Sequence, residues 1–311
     1  MGKIKSSKHS SKKSFEKLDA IFCVEREVKP DNGEDSFYCG VKSNSVLISV
    51  FDGCGGIGSK RYNNFSGKTG AYVASRAVCG GVKAWYESDD ENTDNLKGYV
   101  KNALNVCEAY ADKEESRFIG SLGKAFPTTA AIIKAEADGK KLRATCMWAG
   151  DSRCYALNAK GLHQLSEDDV SGEDALSNLS NDGVLTNFIS ASVPFEIRKK
   201  EFVVDMPCIL FTATDGCFGY LSTPMEFEYL LTNLLMHSGS IGEWKELVYD
   251  NIANFAGDDY SMSMAIFGYG DFGKIKADFD ARNKYVYNNF IVSNADANTK
   301  WDLYKKGYYS I

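Results

Sequence analysis

The sequence predicts an α+β fold of layered antiparallel sheets. Three observations lead there. Strand-like segments follow one another through short polar turns, as hairpins do. Segments of helical periodicity come in two pairs, not one after each strand. Regular β-α-β alternation, the mark of a parallel sheet, is absent.

Taken in order, Ser36–Val41 and Ser45–Phe51 are apolar runs flanking a polar turn at Lys42–Asn44, and form a predicted hairpin. Thr69–Tyr86 carries Ala71, Ala74, Val78, Val82 and Trp85 at helical spacing; Leu96–Glu115 does so with Val100, Ala103, Leu104, Cys107 and Tyr110. Asp94 is the expected cap of the second helix. Strands are predicted at Thr128–Glu136, Leu142–Trp148 and Arg153–Asn158, with turns at Asp138-Gly139 and Gly150-Asp151. Ser166–Asn187 is polar and reads as a long loop or flap. Strands at Lys199–Val204 and Cys208–Thr212, helices at Pro224–His237 and Ile241–Phe255, and a last strand at Tyr260–Phe267 complete the pattern.

Composition is that of a soluble globular chain: 311 residues, 44% hydrophobic, 25% charged, with a net charge of −6 that favours no nucleic-acid partner. Nine scattered cysteines without a CxxC pair read as buried free thiols in a reducing compartment, so a cytoplasmic location is expected. No apolar run is long enough to span a bilayer, and membrane association is not expected. Residues Met1–Ser14 are a Lys/Ser-rich tail read as disordered, although Gly2 and Ser6 also fit an N-myristoylation pattern with lysines behind.

The chemistry lies in acidic residues at strand margins. Val46–Phe51 runs into Asp52-Gly53, and Ile209–Thr214 into Asp215-Gly216. Asp258-Asp259 stands just before the last strand, and Glu34-Asp35 just before what reads as the first. An isolated Asp-Gly is most simply a turn, and glycine lets the backbone bend sharply. Four such elements at strand ends instead suggest convergence on one sheet edge. Clustered carboxylates stay ionised only with cations, and an oxygen-only set suits Mg²⁺ or Mn²⁺.

These residues carry a resemblance to the metal-dependent protein serine/threonine phosphatases, the protein phosphatase 2C family. Asn32-Gly33-Glu34-Asp35, Val50-Phe51-Asp52-Gly53-Cys54-Gly55-Gly56, Pro127-Thr128-Thr129-Ala130, Trp148-Ala149-Gly150-Asp151-Ser152-Arg153, Ala213-Thr214-Asp215-Gly216 and Asp258-Asp259-Tyr260-Ser261 resemble the family's motifs in the family's order. The resemblance covers roughly residues 20 to 268. It implies a four-layer αββα sandwich, two antiparallel sheets flanked by helix pairs. It also implies hydrolysis of phosphoserine and phosphothreonine in proteins by a water at a centre of two Mn²⁺ or Mg²⁺ ions. Asp52 would bridge the metals, and the Gly53 carbonyl would hold one of them. Asp215 and Asp258 would hold the other. Glu34 and Asp35 would complete a shell, and Asp151 would serve a weak third ion. Asp52, Asp215 and Asp258 would thus carry the catalysis. A monomer is expected, with phosphoprotein substrates and a Ser/Thr kinase or its targets as partners.

Three departures stand out. Cys54 occupies a place where many members carry His, Pro30 one where animal members carry a phosphate-gripping Arg, and Gly219 one where the family often has a further Asp. Lys29 or Arg26 are the expected substitutes for that Arg. Two rivals remain at this stage. One is a cysteine-dependent phosphatase using Cys54 with Arg61; its usual spacing would put the Arg where Lys60 stands. The other is a binding protein that kept the fold and lost the reaction. The histidines, His9, His163 and His237, lie outside every motif. Residues 15–268 are expected to form the phosphatase domain. The aromatic-rich 269–311 segment is expected to pack on it.

Overall fold

The computed structural model describes residues 15–88, 90–112, 125–172, 174–180 and 183–311; the basic tail lies outside them. Two five-stranded antiparallel sheets face each other. One is ordered β1 (Leu18–Arg26), β12 (Tyr260–Phe267), β11 (Cys208–Ala213), β8 (Arg153–Asn158), β9 (Gly161–Gln164). The other is ordered β10 (Arg198–Asp205), β7 (Lys141–Ala149), β6 (Ala130–Asp138), β3 (Ser45–Phe51), β2 (Ser36–Val41). Val46, Ile48 and Val50 of β3 meet Leu210, Ala265 and Phe267 of the opposite sheet in the central core. Their neighbours Leu47 and Phe51 point the other way, under helices α1 (Gly70–Glu87) and α2 (Leu96–Tyr110). This alternation lets β3 be buried along its whole length.

The outer face of the first sheet is covered by α4 (Pro224–His237) and α5 (Ile241–Ala253) through Phe227, Leu231, Trp244 and Val248. The expected αββα layering is therefore what the chain adopts. Capping explains where the helices begin. The hydroxyls of Thr69, Thr223 and Ser240 accept the backbone N–H of Tyr72, Glu226 and Glu243. A two-strand hairpin, β4 (Arg61–Tyr62) with β5 (Lys68–Thr69), leads into α1. Beyond β12, α6 (Phe272–Val286) packs on α4, and α7 (Ala297–Tyr308) packs beside β9. Among the described residues no helix is long and apolar enough to cross a membrane.

Some expectations need correction. Glu34-Asp35 precedes the second strand, because β1 comes first. That edge strand buries only Phe22 and Val24 fully, so it lacks a clear alternating signal. Asp94 does not cap α2. It lies in a 3₁₀ turn, donates its own N–H to the Asn92 side-chain oxygen, and pairs with Lys199 at 2.7 Å. The helix ends at Tyr110, short of the expected Glu115. Within the flap, Ala175–Ser180 forms a short helix, α3.

Candidate active site

Strand register brings the acidic residues to one end of the sandwich. Ser36 pairs with Phe51, so Asp35 lies opposite Asp52 across β2 and β3. Ala213 pairs with Met262 on one side and Arg153 on the other. Asp215 therefore projects beside the segment carrying Asp258 and Asp259 and beside the turn carrying Asp151. The β7–β8 connection crosses between sheets at Gly150, whose φ of 99° is open to glycine and strained for other residues.

Asp52 and Asp215 stand side by side. Burial, then the charges of Asp215, Asp35, Asp151 and Asp258, push the Asp52 carboxyl well above the usual carboxylate range. Asp35 is buried behind this pair and accepts the Thr214 hydroxyl at 2.8 Å; burial, then Asp259 and Asp215, raise it too. Asp151 is pushed up to about 7 by burial first and Asp215 second. One of its buried oxygens, Oδ1, has no hydrogen-bond partner. Glu34 is half-buried and accepts the Thr69 hydroxyl. Asp258 is exposed at the mouth of the array.

The two Asp-Gly glycines serve close approach instead of a sharp bend. A Cβ on Gly53 would lie 2.5 Å from the Ala71 carbonyl oxygen, and one on Gly216 would lie 2.1 Å from that of Asp259. The Gly53–Thr128 bridge runs through the Asp52 carbonyl and the Cys54 N–H, which bond Thr129 N and Pro127 O. Gly53's own carbonyl takes no part in that bridge.

Among the described residues no three His, Cys, Asp or Glu side chains close around one point as a finished metal cage. The array is gathered in pairs. Its chemistry still fits divalent cations. Its donors are carboxylates and a main-chain carbonyl, one buried oxygen is unpartnered, and burial first, then mutual repulsion, raise several of the acids. Among the described residues the imidazoles are elsewhere: His163 bonds the Gly307 carbonyl, and His237 lies at the end of α4.

Supporting residues that the pattern alone did not single out complete the site. Asp259 accepts Val28 N at 2.6 Å and Glu34 N at 2.7 Å, tying the first acidic motif to the last. Arg153 is buried and forks onto Asp168, Nε at 2.9 Å and Nη2 at 2.6 Å, with its face over Phe218. The only sequence signal for these roles is membership of the Asp258-Asp259 and Gly-Asp-Ser-Arg motifs. Of the expected substitutes for the missing Arg, Arg26 is turned away, donating to the Ala253 carbonyl at 2.6 Å. Lys29 lines a cleft beside Glu34 and Asp258, together with Arg61. Cys54 is poorly placed as a nucleophile. Burial, then Asp52, Asp151 and Asp215, hold its thiol well above the ordinary range, so the reactive thiolate is disfavoured.

Comparison with known proteins agrees with the fold. Residues 26–248 match the family model described as protein phosphatase 2C. No curated protein sequence matches the chain significantly. Several solved structures share its fold. The serine/threonine phosphatase Stp1 from Staphylococcus aureus is 15% identical, with 84% of this chain and 100% of that chain covered and a TM-score of 0.56. The Mycobacterium tuberculosis serine/threonine phosphatase PstP/Ppp is 17% identical, with 79% and 97% covered and a TM-score of 0.54. A PstP catalytic domain in complex with two manganese ions is 16% identical, with 80% and 97% covered and a TM-score of 0.50.

Proposed function

We propose a reaction from one premise: the chain belongs to the protein phosphatase 2C family of serine/threonine phosphatases. It hydrolyses phosphoserine and phosphothreonine esters in proteins, with water as the attacking group and a carboxylate-held metal centre. The observation that carries this reading is the Asp52–Asp215 contact. It joins acids from two different sheets inside an oxygen-only array.

Two Mg²⁺ or Mn²⁺ ions would be held by Asp52, the Gly53 carbonyl, Asp215 and Asp258, with Glu34 and Asp35 completing the set and Asp151 serving a weaker third. Such ions supply the positive charge that a phosphate dianion needs, and they acidify water. The PstP domain with two manganese ions is a precedent on the same fold. The protein's own part is positioning. Thr214 orients Asp35, Thr69 orients Glu34, and Asp259 clamps the backbone that carries both. Cys54, kept as a thiol, takes no part in attack and is a poor acid for the leaving oxygen, so good leaving groups should react best.

The test is phosphate release from a phosphothreonine peptide with Mn²⁺, with excess chelator, and with Asp215→Asn. Turnover that needs metal and falls on the order of 10²–10³-fold in the variant is expected, as for loss of one transition-state electrostatic contact. Turnover that survives chelation would return the reaction to Cys54. Metal binding without turnover would favour a binding protein.

A further inference from the structure

The cleft beside the acidic array holds about 280 Å³, lined by Lys29, Glu34, Arg61, Lys68, Tyr72 and Asp258 among others. That is just below the range of small-ligand pockets, about 300–1,000 Å³, and fits a side chain or two of a longer substrate. Glu34 and Asp258 belong to both the array and the cleft. The cleft therefore adjoins the place where a phosphorylated residue would reach the array.

The acidic wall of this cleft is already satisfied from within. Asp259 takes two backbone N–H groups, and Glu34 takes the Thr69 hydroxyl. The cationic wall is less committed, although the charge of Arg61 acts on Glu34. Among the described residues neither Lys29 nor Arg61 has an ion pair, and the one side-chain hydrogen bond of Arg61 runs from Nη1 to the Gly67 carbonyl at 2.8 Å. Arg61 is nevertheless held in place. It alternates with Tyr62, which is buried and stacked on Phe126 at 4.8 Å, so the β4 backbone is anchored and Arg61 faces out. The hairpin carrying it is pinned further by Asp112, which accepts the N–H of Asn63 and Asn64. Lys68 is committed differently, to the Asp31 carbonyl and the Asn32 side chain, and shapes the cleft floor.

We infer that this cleft is a subsite for acidic side chains flanking the phosphorylated residue, with Arg61 and Lys29 as its cationic wall. The inference rests on the phosphatase reading and adds a substrate class to it: phosphoproteins with Asp or Glu next to the phosphorylated residue. A rigid, forked guanidinium suits a carboxylate better than a free ammonium, so Arg61 is the stronger contact.

The test compares two phosphothreonine peptides, identical except for acidic or neutral flanks, with p-nitrophenyl phosphate, which has no flank. Wild type should show a lower KM for the acidic peptide, an advantage that shrinks as salt rises. Arg61→Ala should raise that KM about 3–5-fold, the scale of one exposed ion pair. The neutral peptide, p-nitrophenyl phosphate and kcat should be unchanged, and Arg61→Lys should restore part of the loss. Equal KM values for the two peptides in wild type would overturn the inference. So would an equal loss on all three substrates, which would mean that the cations grip the phosphoryl group itself. If no substrate is turned over, the phosphatase reading fails on its own, and labelled-peptide anisotropy takes over. There, an acidic preference lost in Arg61→Ala supports the subsite, and no preference overturns it.

Discussion

Asp52, at the end of β3, stands beside Asp215, at the end of β11, across the seam between the two sheets. Burial first, and then the like charges of Asp215 and its neighbours, push the Asp52 carboxyl well above the usual carboxylate range. The contact is therefore a strained arrangement of charge that divalent cations would relieve.

Adding Mn²⁺ should stabilise the fold as well as enable turnover. At a hundred times Kd the gain is about 2.7 kcal/mol, seen as a rise of several degrees in Tm. Asp52→Asn should lose most of that rise. Its melting without metal should be no lower than wild type, because it removes a repelled buried charge. A full Mn²⁺-dependent rise in Asp52→Asn would show that the ion binds elsewhere.

Much of this site was legible before any coordinates, because its residues sit at strand margins. Ser36–Val41, Ser45–Phe51, Pro224–His237 and Tyr260–Phe267 are bounded in the structure where hydrophobic pattern and turn residues bounded them. What pattern could not show was register and long-range pairing. Nothing local to Asp259 says that its carboxylate will clamp Glu34, 225 residues away in sequence. Nor does Arg61, in a two-residue strand too short to leave a periodic signal, announce that it faces a cleft. The β1 strand escapes the pattern for a related reason: an edge strand that buries only two of its nine residues fully carries a diluted alternation.

Glycines separate geometric need from helix propensity. Gly53→Ala would press a methyl group against two backbone oxygens, Ala71 at 2.5 Å and Glu34 at 2.8 Å, neither of which can rotate away. It should cost about 1–3 kcal/mol or more and abolish Mn²⁺ stabilisation. Gly80 in α1 is exposed, and a Cβ there meets nothing within 4 Å. Gly80→Ala should stabilise by about 0.5–1 kcal/mol. Chemical denaturation of both variants checks the pair, and equal effects would sink the steric account of Gly53.

Helix α6 is fastened to α4 by a buried charge. Glu228 is fully buried, takes Arg282 at 2.6 and 2.9 Å, and also accepts the Tyr304 hydroxyl from α7. Arg282→Met should cost about 3–5 kcal/mol, because it leaves a carboxylate without its cation. Adding Glu228→Gln should recover part of that loss. Denaturant midpoints of the single and double variants measure the coupling. A double variant as unstable as the sum of the two singles would show that the pair is not what fastens the helix.

His163 in β9 gives the C-terminal helix a pH dependence. Burial pushes its imidazole below the ordinary histidine value of 6.5, against the opposing pull of its bond to the Gly307 carbonyl at 2.7 Å and of Glu228. The unfolded chain therefore binds a proton here more readily than the folded one. This stabilisation is complete above pH 6.5 and is lost as pH falls from there through the folded value. The acidic array acts in the opposite sense. Asp151, raised to about 7, holds a proton in the folded state that the unfolded chain has released, so its contribution grows as pH falls from about 7 towards 3.8. The two trends overlap, and melting of wild type alone cannot separate them. The difference between wild type and His163→Gln can, because the array is common to both. That difference should favour wild type less at pH 5 than at pH 7.5. A difference that stays flat across the range would mean that His163 holds its proton equally in both states.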